Sequence, residues 1–314
     1  MTHPFRFGVI TSHASDGPAW RARARRAEAL GYSSLLMPDH FQDQWEPVVA
    51  LAVAAAATER LHVGTLVFDN DYRHPAMLAK SIATLDLATG GRVEFGLGAG
   101  WKRSDYDETG MPYDPPGVRI DRMIESLAIM RALWASAEPV HFAGAHYTIT
   151  GAVGTPRPHS RRGPKVCIGA GGKRMLSFAA READIVAVNA TMTAGALDAS
   201  VAATASPAAF DEKISWVRAA ATAAGRVDEI ELQCHCPLVT LTDDRASLLD
   251  ALAPAFGCPS ADAADIPLTM VGTIDEMCEA IVRRRDRWGF TYTIVPDDAM
   301  ETFAPVVAEL AGRS

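Results

Sequence analysis

With 30 Lys+Arg against 38 Asp+Glu over 314 residues, the chain carries a net charge of −8 at only 22% charged residues, a balance that argues against nucleic-acid binding and against disorder. Its 48% hydrophobic content supplies a sizeable core, while no apolar run approaches the roughly 20 residues of a membrane span. Met1 to Arg6 has no basic stretch leading into an apolar run, and the scattered Cys167, Cys234, Cys236, Cys258 and Cys278 suit a reducing compartment, so a cytoplasmic protein is expected.

Short apolar strands alternate with helical patterns along the chain, the rhythm of parallel strands. The first strand is Phe5 to Ile10; Gly17-Pro18 then opens a helix whose Trp20, Ala24, Ala27 and Leu30 share one face, and Gly31 ends it. Ser33 to Pro38, Leu61 to Phe68 and Arg92 to Leu97 follow as strands, separated by alanine-rich helices at Pro47 to Thr58 and Pro75 to Leu87. An irregular stretch from Trp101 to Gly117 leads into an amphipathic helix with Ile120, Ile124, Leu127 and Trp134 as its buried stripe, and Pro139 to Gly151 reads as an added hairpin. Lys165 to Gly169, Asp184 to Val188, Ile230 to Val239 and Phe290 to Val295 bring the strands to eight.

Eight strand-helix units predict an α/β fold, a (β/α)8 TIM barrel with loop insertions at 101–117, 139–163 and 191–206, and a single domain over 1–314. Strand alternation sends Cys234 and Cys236 one way and His235 the other, which argues against zinc; no metal site is expected.

Barrel active sites are built from the loops after the C-terminal strand ends. Those positions hold Asp39-His40, Asn70 to His74, Trp101-Lys102, Gly171-Gly172-Lys173 and Asn189. Taken singly, Asp39 as a turn cap and an exposed His40 are sufficient readings; their gathering at one rim favours a site. Gly169 to Lys173 lies between a strand and a helix, so its backbone N–H groups and the positive helix end can hold a phosphate, the alternative being a simple glycine turn. It departs from the P-loop pattern, and Gly96 to Trp101 lacks the third glycine of a dinucleotide fingerprint. Glycines there let a flat ring approach the backbone, with Trp101 either its wall or a core residue. No nucleophile elbow and no paired His/Glu helix is present, so the inference turns to a cofactor that carries the chemistry.

In order along the chain, Leu30-Gly31-Tyr32, Pro38-Asp39-His40-Phe41, Asn70-Asp71-Tyr72-Arg73-His74-Pro75, Thr84-Leu85-Asp86, Gly91-Arg92, Gly96 to Trp101, Gly169 to Gly172, Ala179 to Asp184, Val271-Gly272-Thr273 and Gly289-Phe290 resemble the luciferase-like monooxygenase superfamily. The branch using coenzyme F420, a deazaflavin, is the most similar; 191–265 matches poorly. The resemblance implies an F420-dependent oxidoreductase passing a hydride between the deazaflavin and a small organic substrate, by reduction of a C=C or C=N bond. An FMN-dependent monooxygenase is the alternative, and a non-catalytic ligand-binding barrel the second.

The resemblance also implies the roles. Asp39 meets the ring edge, and His40 stands at the reaction face, oriented by Asp39 or a rim neighbour. Leu66, Phe68, Ala99, Gly100 and Ser104 line the ring and its ribityl chain, while Gly171, Gly172, Arg174 and Met175 surround the phosphate, with Asn189 beside them. A cis peptide is expected near Thr65-Leu66. Asp39-His40-Phe41-Gln42 is similar to the sugar-phosphate dehydrogenases of this superfamily, with Trp45 one residue off their tryptophan. Their acidic catalytic residue falls at Trp101 and their phosphate-holding lysine at Met192, so a sugar phosphate gives way to an apolar or aromatic acceptor, with His40 and Trp101 facing it. Family habit implies a homodimer, for which the alanine-rich face of 50–57 is suited.

Overall fold

A computed structural model of the chain describes residues 3–192, 195–196 and 199–314. Its strands are β1 (Arg6–Ile10), β2 (Ser34–Met37), β3 (His62–Thr65), β4 (Phe68–Asp69), β5 (Val93–Gly98), β6 (Val140–Ala143), β7 (Thr148–Ala152), β8 (Lys165–Ala170), β9 (Ile185–Val188), β10 (Glu231–His235), β11 (Leu238–Leu241), β12 (Thr269–Gly272) and β13 (Phe290–Pro296). Its helices are α1 (Gly17–Ala29), α2 (Pro47–Ala56), α3 (Pro75–Thr89), α4 (Arg103–Thr109), α5 (Pro116–Ala135), α6 (Lys173–Glu182), α7 (Ala199–Ala203), α8 (Pro207–Ala223), α9 (Arg245–Leu252), α10 (Ile274–Trp288) and α11 (Met300–Leu310). The sheet order β3-β2-β1-β13-β10-β9-β8-β5-β4, with β3 also paired to β5, is that of a (β/α)8 barrel. Met1, Thr2 and four positions of the 191–206 insertion (193, 194, 197 and 198) lie outside the described residues.

Every expected strand is present, two of them divided. The third splits into β3 and β4, which pair with β5 at Val63↔Val93 and Phe68↔Leu97, and the cis peptide falls between them at Leu66–Val67, one bond past the expected place. The seventh splits at Pro237: β10 stays in the main sheet while β11 pairs in parallel with β12. The stretch from Trp101 to Gly117 is less irregular than expected, because Arg103–Thr109 is helical and ends at Gly110 with φ 74°.

Packing divides the chain into two compact units. One comprises Ser12–Arg25 and Leu36–Val166. There Pro47 and Pro75 start α2 and α3, capped by the side chains of Glu46 and His74. Phe95 of β5 packs edge-on against Trp134 of α5, whose Nε1 donates to Ala79 O of α3 at 3.0 Å. The buried stripe of α5 runs through Met123, Leu127, Met130 and Trp134, one position round from that expected, leaving Ile120 and Ile124 only partly covered. The added hairpin is β6–β7, antiparallel, and Glu125 of α5 holds it by accepting N–H bonds from Ala145, His146 and Tyr147.

The other unit comprises the segment ending at Thr11, Arg26–Leu35 and Cys167–Ser314. Arg6 of β1 makes two 2.7 Å bonds to Glu231 of β10 and lies 3.4 Å over the Tyr292 ring of β13. Strand alternation places the cysteines as expected: Cys234 and Cys236 both reach Pro267 O, while Gln233 meets Cys167. Leu249, Ala253, Ala263, Ile266 and Val271 form a small core of their own around α9 and β12. Thr273 and Glu276 close a capping box at the start of α10. Thr273→Ala is therefore expected to lower the unfolding free energy by about 1 kcal/mol, seen as a lower urea midpoint at an unchanged slope. Among the described residues no helix is long and apolar enough to cross a membrane.

Candidate active site

His40 follows β2, and its Nδ1 lies 2.6 Å from Asp105 Oδ2 on α4. A carboxylate only accepts, so Nδ1 carries the hydrogen and Nε2 is left as the working nitrogen. Asp105 is fully buried; the Tyr72 hydroxyl donates to the same Oδ2 at 3.1 Å, and Lys102 Nζ stands 3.8 Å from Oδ1. The half-exposed Trp101 meets the His40 ring edge-on at 5.7 Å, and the exposed Phe41 tilts over Tyr72 at 4.8 Å. A fixed imidazole thus sits among aromatic rings, an arrangement that can pass a proton to or from an apolar substrate.

Asp39 does not orient His40. Its buried carboxylate is gripped by both terminal nitrogens of Arg73, at 2.6 and 3.1 Å, and accepts the Asp69 N–H at 3.0 Å. Burial pushes the Asp39 carboxyl up, opposed by the bonds and charge of Arg73. Phe68 is buried, with the Arg73 guanidinium 5.0 Å from its ring centre. Leu66, Ala99, Gly100 and Ser104 are half-buried. Gly100 has φ 76°, and a side chain on it would run into Tyr106 Oη and the Asp69 carboxylate, so only glycine fits there. Trp45 packs against the buried Trp20, ring centres 5.4 Å apart.

The remaining expected residues lie in the second unit. Gly172 is the N-cap of α6 and makes no side-chain cap hydrogen bond, so that the helix opens on backbone alone. Gly171 packs against the backbone of Ala190 and Thr191, and Thr191 Oγ1 donates to Gly171 O at 3.0 Å, whereas Gly172 faces open space. Met175 is buried, and Arg174 is exposed on the first turn. Asn189 turns its Oδ1 to the Ala190 N–H, and its carbonyl accepts from the buried Lys213, whose ammonium burial pushes down to about 8. An uncapped helix start beside a bare glycine fits a phosphate.

The family model for luciferase-like monooxygenases matches residues 1–268. The chain belongs to that family. Membership makes it an enzyme of the luciferase-like oxidoreductase group. Among its relatives, an F420-dependent glucose-6-phosphate dehydrogenase of Microbacterium testaceum is 31% identical over 194 residues, 59% of this chain and 56% of that protein. The coenzyme F420 dependent tetrahydromethanopterin reductase from Methanopyrus kandleri shares the fold at a TM-score of 0.78 and 20% identity, over 98% of this chain and 99% of the other. So does the oxygenating constituent of 3,6-diketocamphane monooxygenase from Pseudomonas putida, solved in complex with FMN, at a TM-score of 0.72 and 17% identity over 98% of each.

Asp39, His40 and Trp101 stand out in the amino-acid sequence of this family member, whereas Asp105, Asp69 and Tyr106 do not. The available signal was slight: Asp105 and Tyr106 are the buried residues of α4, between Arg103 and Asp107, which pair across the helix surface at 3.1 Å.

Proposed function

We propose that the protein is a coenzyme F420-dependent oxidoreductase that reduces a C=C or C=N bond of a small apolar or aromatic molecule. The observation that carries the reading is the His40–Asp105 pair beside Trp101, supported by the kinship with F420-dependent relatives. When bound, the deazaflavin supplies a hydride carrier. The chain's residues do the rest. His40 Nε2 gives a proton to the substrate atom made basic by reduction, and Asp105 stabilises the imidazolium that donates it. Trp101 and Phe41 keep water from the acceptor and offer it apolar faces. The ring falls to Asp39, Leu66, Phe68, Ala99, Gly100 and Ser104, and the phosphate to Gly171, Gly172, Arg174 and Met175, with Asn189 beside them.

An FMN-dependent monooxygenase is the second reading, favoured by the FMN-containing structure of the same fold. Titration with the deazaflavin and with FMN, followed by fluorescence, separates the two. Tighter binding of the deazaflavin is expected; preference for FMN, with oxygen consumed by the reduced complex, would overturn the order. Beyond a small-molecule substrate we propose no nucleic-acid or membrane partner, a cytoplasmic setting and a homodimer, the last supported by the exposed Val49 of α2 and Met77 of α3.

A further inference from the structure

Below Gly100, one phenol faces too many acceptors. Tyr106 Oη, fully buried, lies 3.1 and 3.0 Å from the two carboxylate oxygens of Asp69 and 3.2 Å from Asp71 Oδ2. A tyrosine hydroxyl has one hydrogen to donate and otherwise accepts. Three ionised carboxylate oxygens around it leave at least two close oxygen pairs with no hydrogen between them. One more proton gives each of the two carboxyl groups a hydrogen bond to the phenol: a carboxylic acid donates to Oη through one of its oxygens, and Oη donates onward to the other carboxylate.

The surrounding charges say which carboxyl holds it. Asp39 faces Arg73, Asp71 faces Arg122 of α5 at 3.0 Å, and Asp105 faces His40 and Lys102. Arg73 also reaches Glu46, and Arg122 also reaches Asp114. Arg119 of α5 stands 5.9 Å above the Tyr106 ring and is bound to Asp114 O, and Tyr72 sits edge-on to that ring at 5.7 Å. Among the described residues Asp69 alone of these four aspartates has no cation beside it; besides Tyr106 its carboxylate accepts only the Asp71 N–H, at 2.9 Å.

We propose that Asp69 is a positioning residue that works as a neutral carboxylic acid, sharing its proton with Tyr106 and thereby fixing the two side chains against which the backbone at Gly100 packs. Burial in particular pushes the Asp69 carboxyl up to about 7, against the pull of the Asp71 N–H. An acid whose folded pKa lies above its unfolded value stabilises the fold at low pH, and that stability is lost as pH rises from the unfolded value, near 3.8, through about 7.

The test uses the ligand-free full chain and Asp69→Asn, which keeps a neutral donor of the same shape. Between about pH 5 and about pH 8 the wild-type Tm should fall relative to that of the variant. At about pH 6 the infrared difference between them should show a protonated-carboxyl band that Tyr106→Phe displaces and that vanishes from the wild type at about pH 9. A Tm difference independent of pH, or no acid band in the difference spectrum, overturns the proposal. Should the asparagine variant not fold, the acid band is sought in the difference between wild type and Tyr106→Phe, and its absence overturns the proposal equally. None of these readouts involves a cofactor, so failure here and failure of the deazaflavin titration are separate results.

Discussion

Asp105→Asn should reduce kcat by about 10²–10⁴-fold, close to the loss expected of His40→Ala, although Asp105 is sealed from the substrate. The reason is the tautomer. With a carboxylate at 2.6 Å, Nδ1 must carry the hydrogen. An asparagine amide offers its own N–H to Nδ1, so the imidazole is free to present Nε2 in the wrong state and loses the anion that steadies its charged form. Tyr72→Phe removes only a neutral donor at 3.1 Å from the same oxygen and should cost about fivefold, the equivalent of about 1 kcal/mol. Steady-state kinetics of the three variants, with cofactor affinity measured in parallel, give the order. If Asp105→Asn retains its kcat while His40→Ala does not, the histidine acts without this partner. If His40→Ala retains it, the histidine leaves the mechanism altogether.

The barrel was legible because its strands announce themselves locally: short apolar runs, each closed by polar or glycine residues, need no tertiary knowledge to be seen. The two divided strands show where that stops. Pro237 has no N–H to give a ladder, so the run Ile230 to Val239 held its own break, yet only the parallel partner strand β12 explains where β11 goes. Between β3 and β4 no residue of breaking character stands at Leu66-Val67. The candidate site was half legible for the same reason. His40 and Asp39 adjoin a strand end, where polar residues attract notice; Asp105 lies 65 positions away in a stretch without an apolar stripe. Nothing in spacing alone distinguishes the aspartate that meets a histidine from one that meets water. Buried carboxylates are exceptional because they need partners, and here the partners are Arg73, Arg122, Lys102, His40 and Tyr106, contributed by four separate segments of the chain.

The glycine turn after β8 yields the other large expectation, and it rests on a contrast between neighbours. An added methyl at Gly171 would be driven into the Ala190 carbonyl and come within 2.6 Å of its carbon, and backbone cannot swing aside as a side-chain tip can. At Gly172 the same methyl meets nothing within 4 Å. Gly171→Ala should therefore cost about 1–3 kcal/mol of stability, as overpacking does, whereas Gly172→Ala should stay within about 0.5 kcal/mol. The turn also aims the first N–H groups of α6, so the shift forced by Gly171→Ala should weaken the phosphorylated cofactor at least about tenfold, or 1.4 kcal/mol. Thermal unfolding and fluorescence titration measure the two consequences separately. Equal effects of the two alanines on affinity would mean that the N-terminus of α6 does not hold the phosphate. A Gly171→Ala protein that loses stability but keeps its affinity would assign the turn to packing alone.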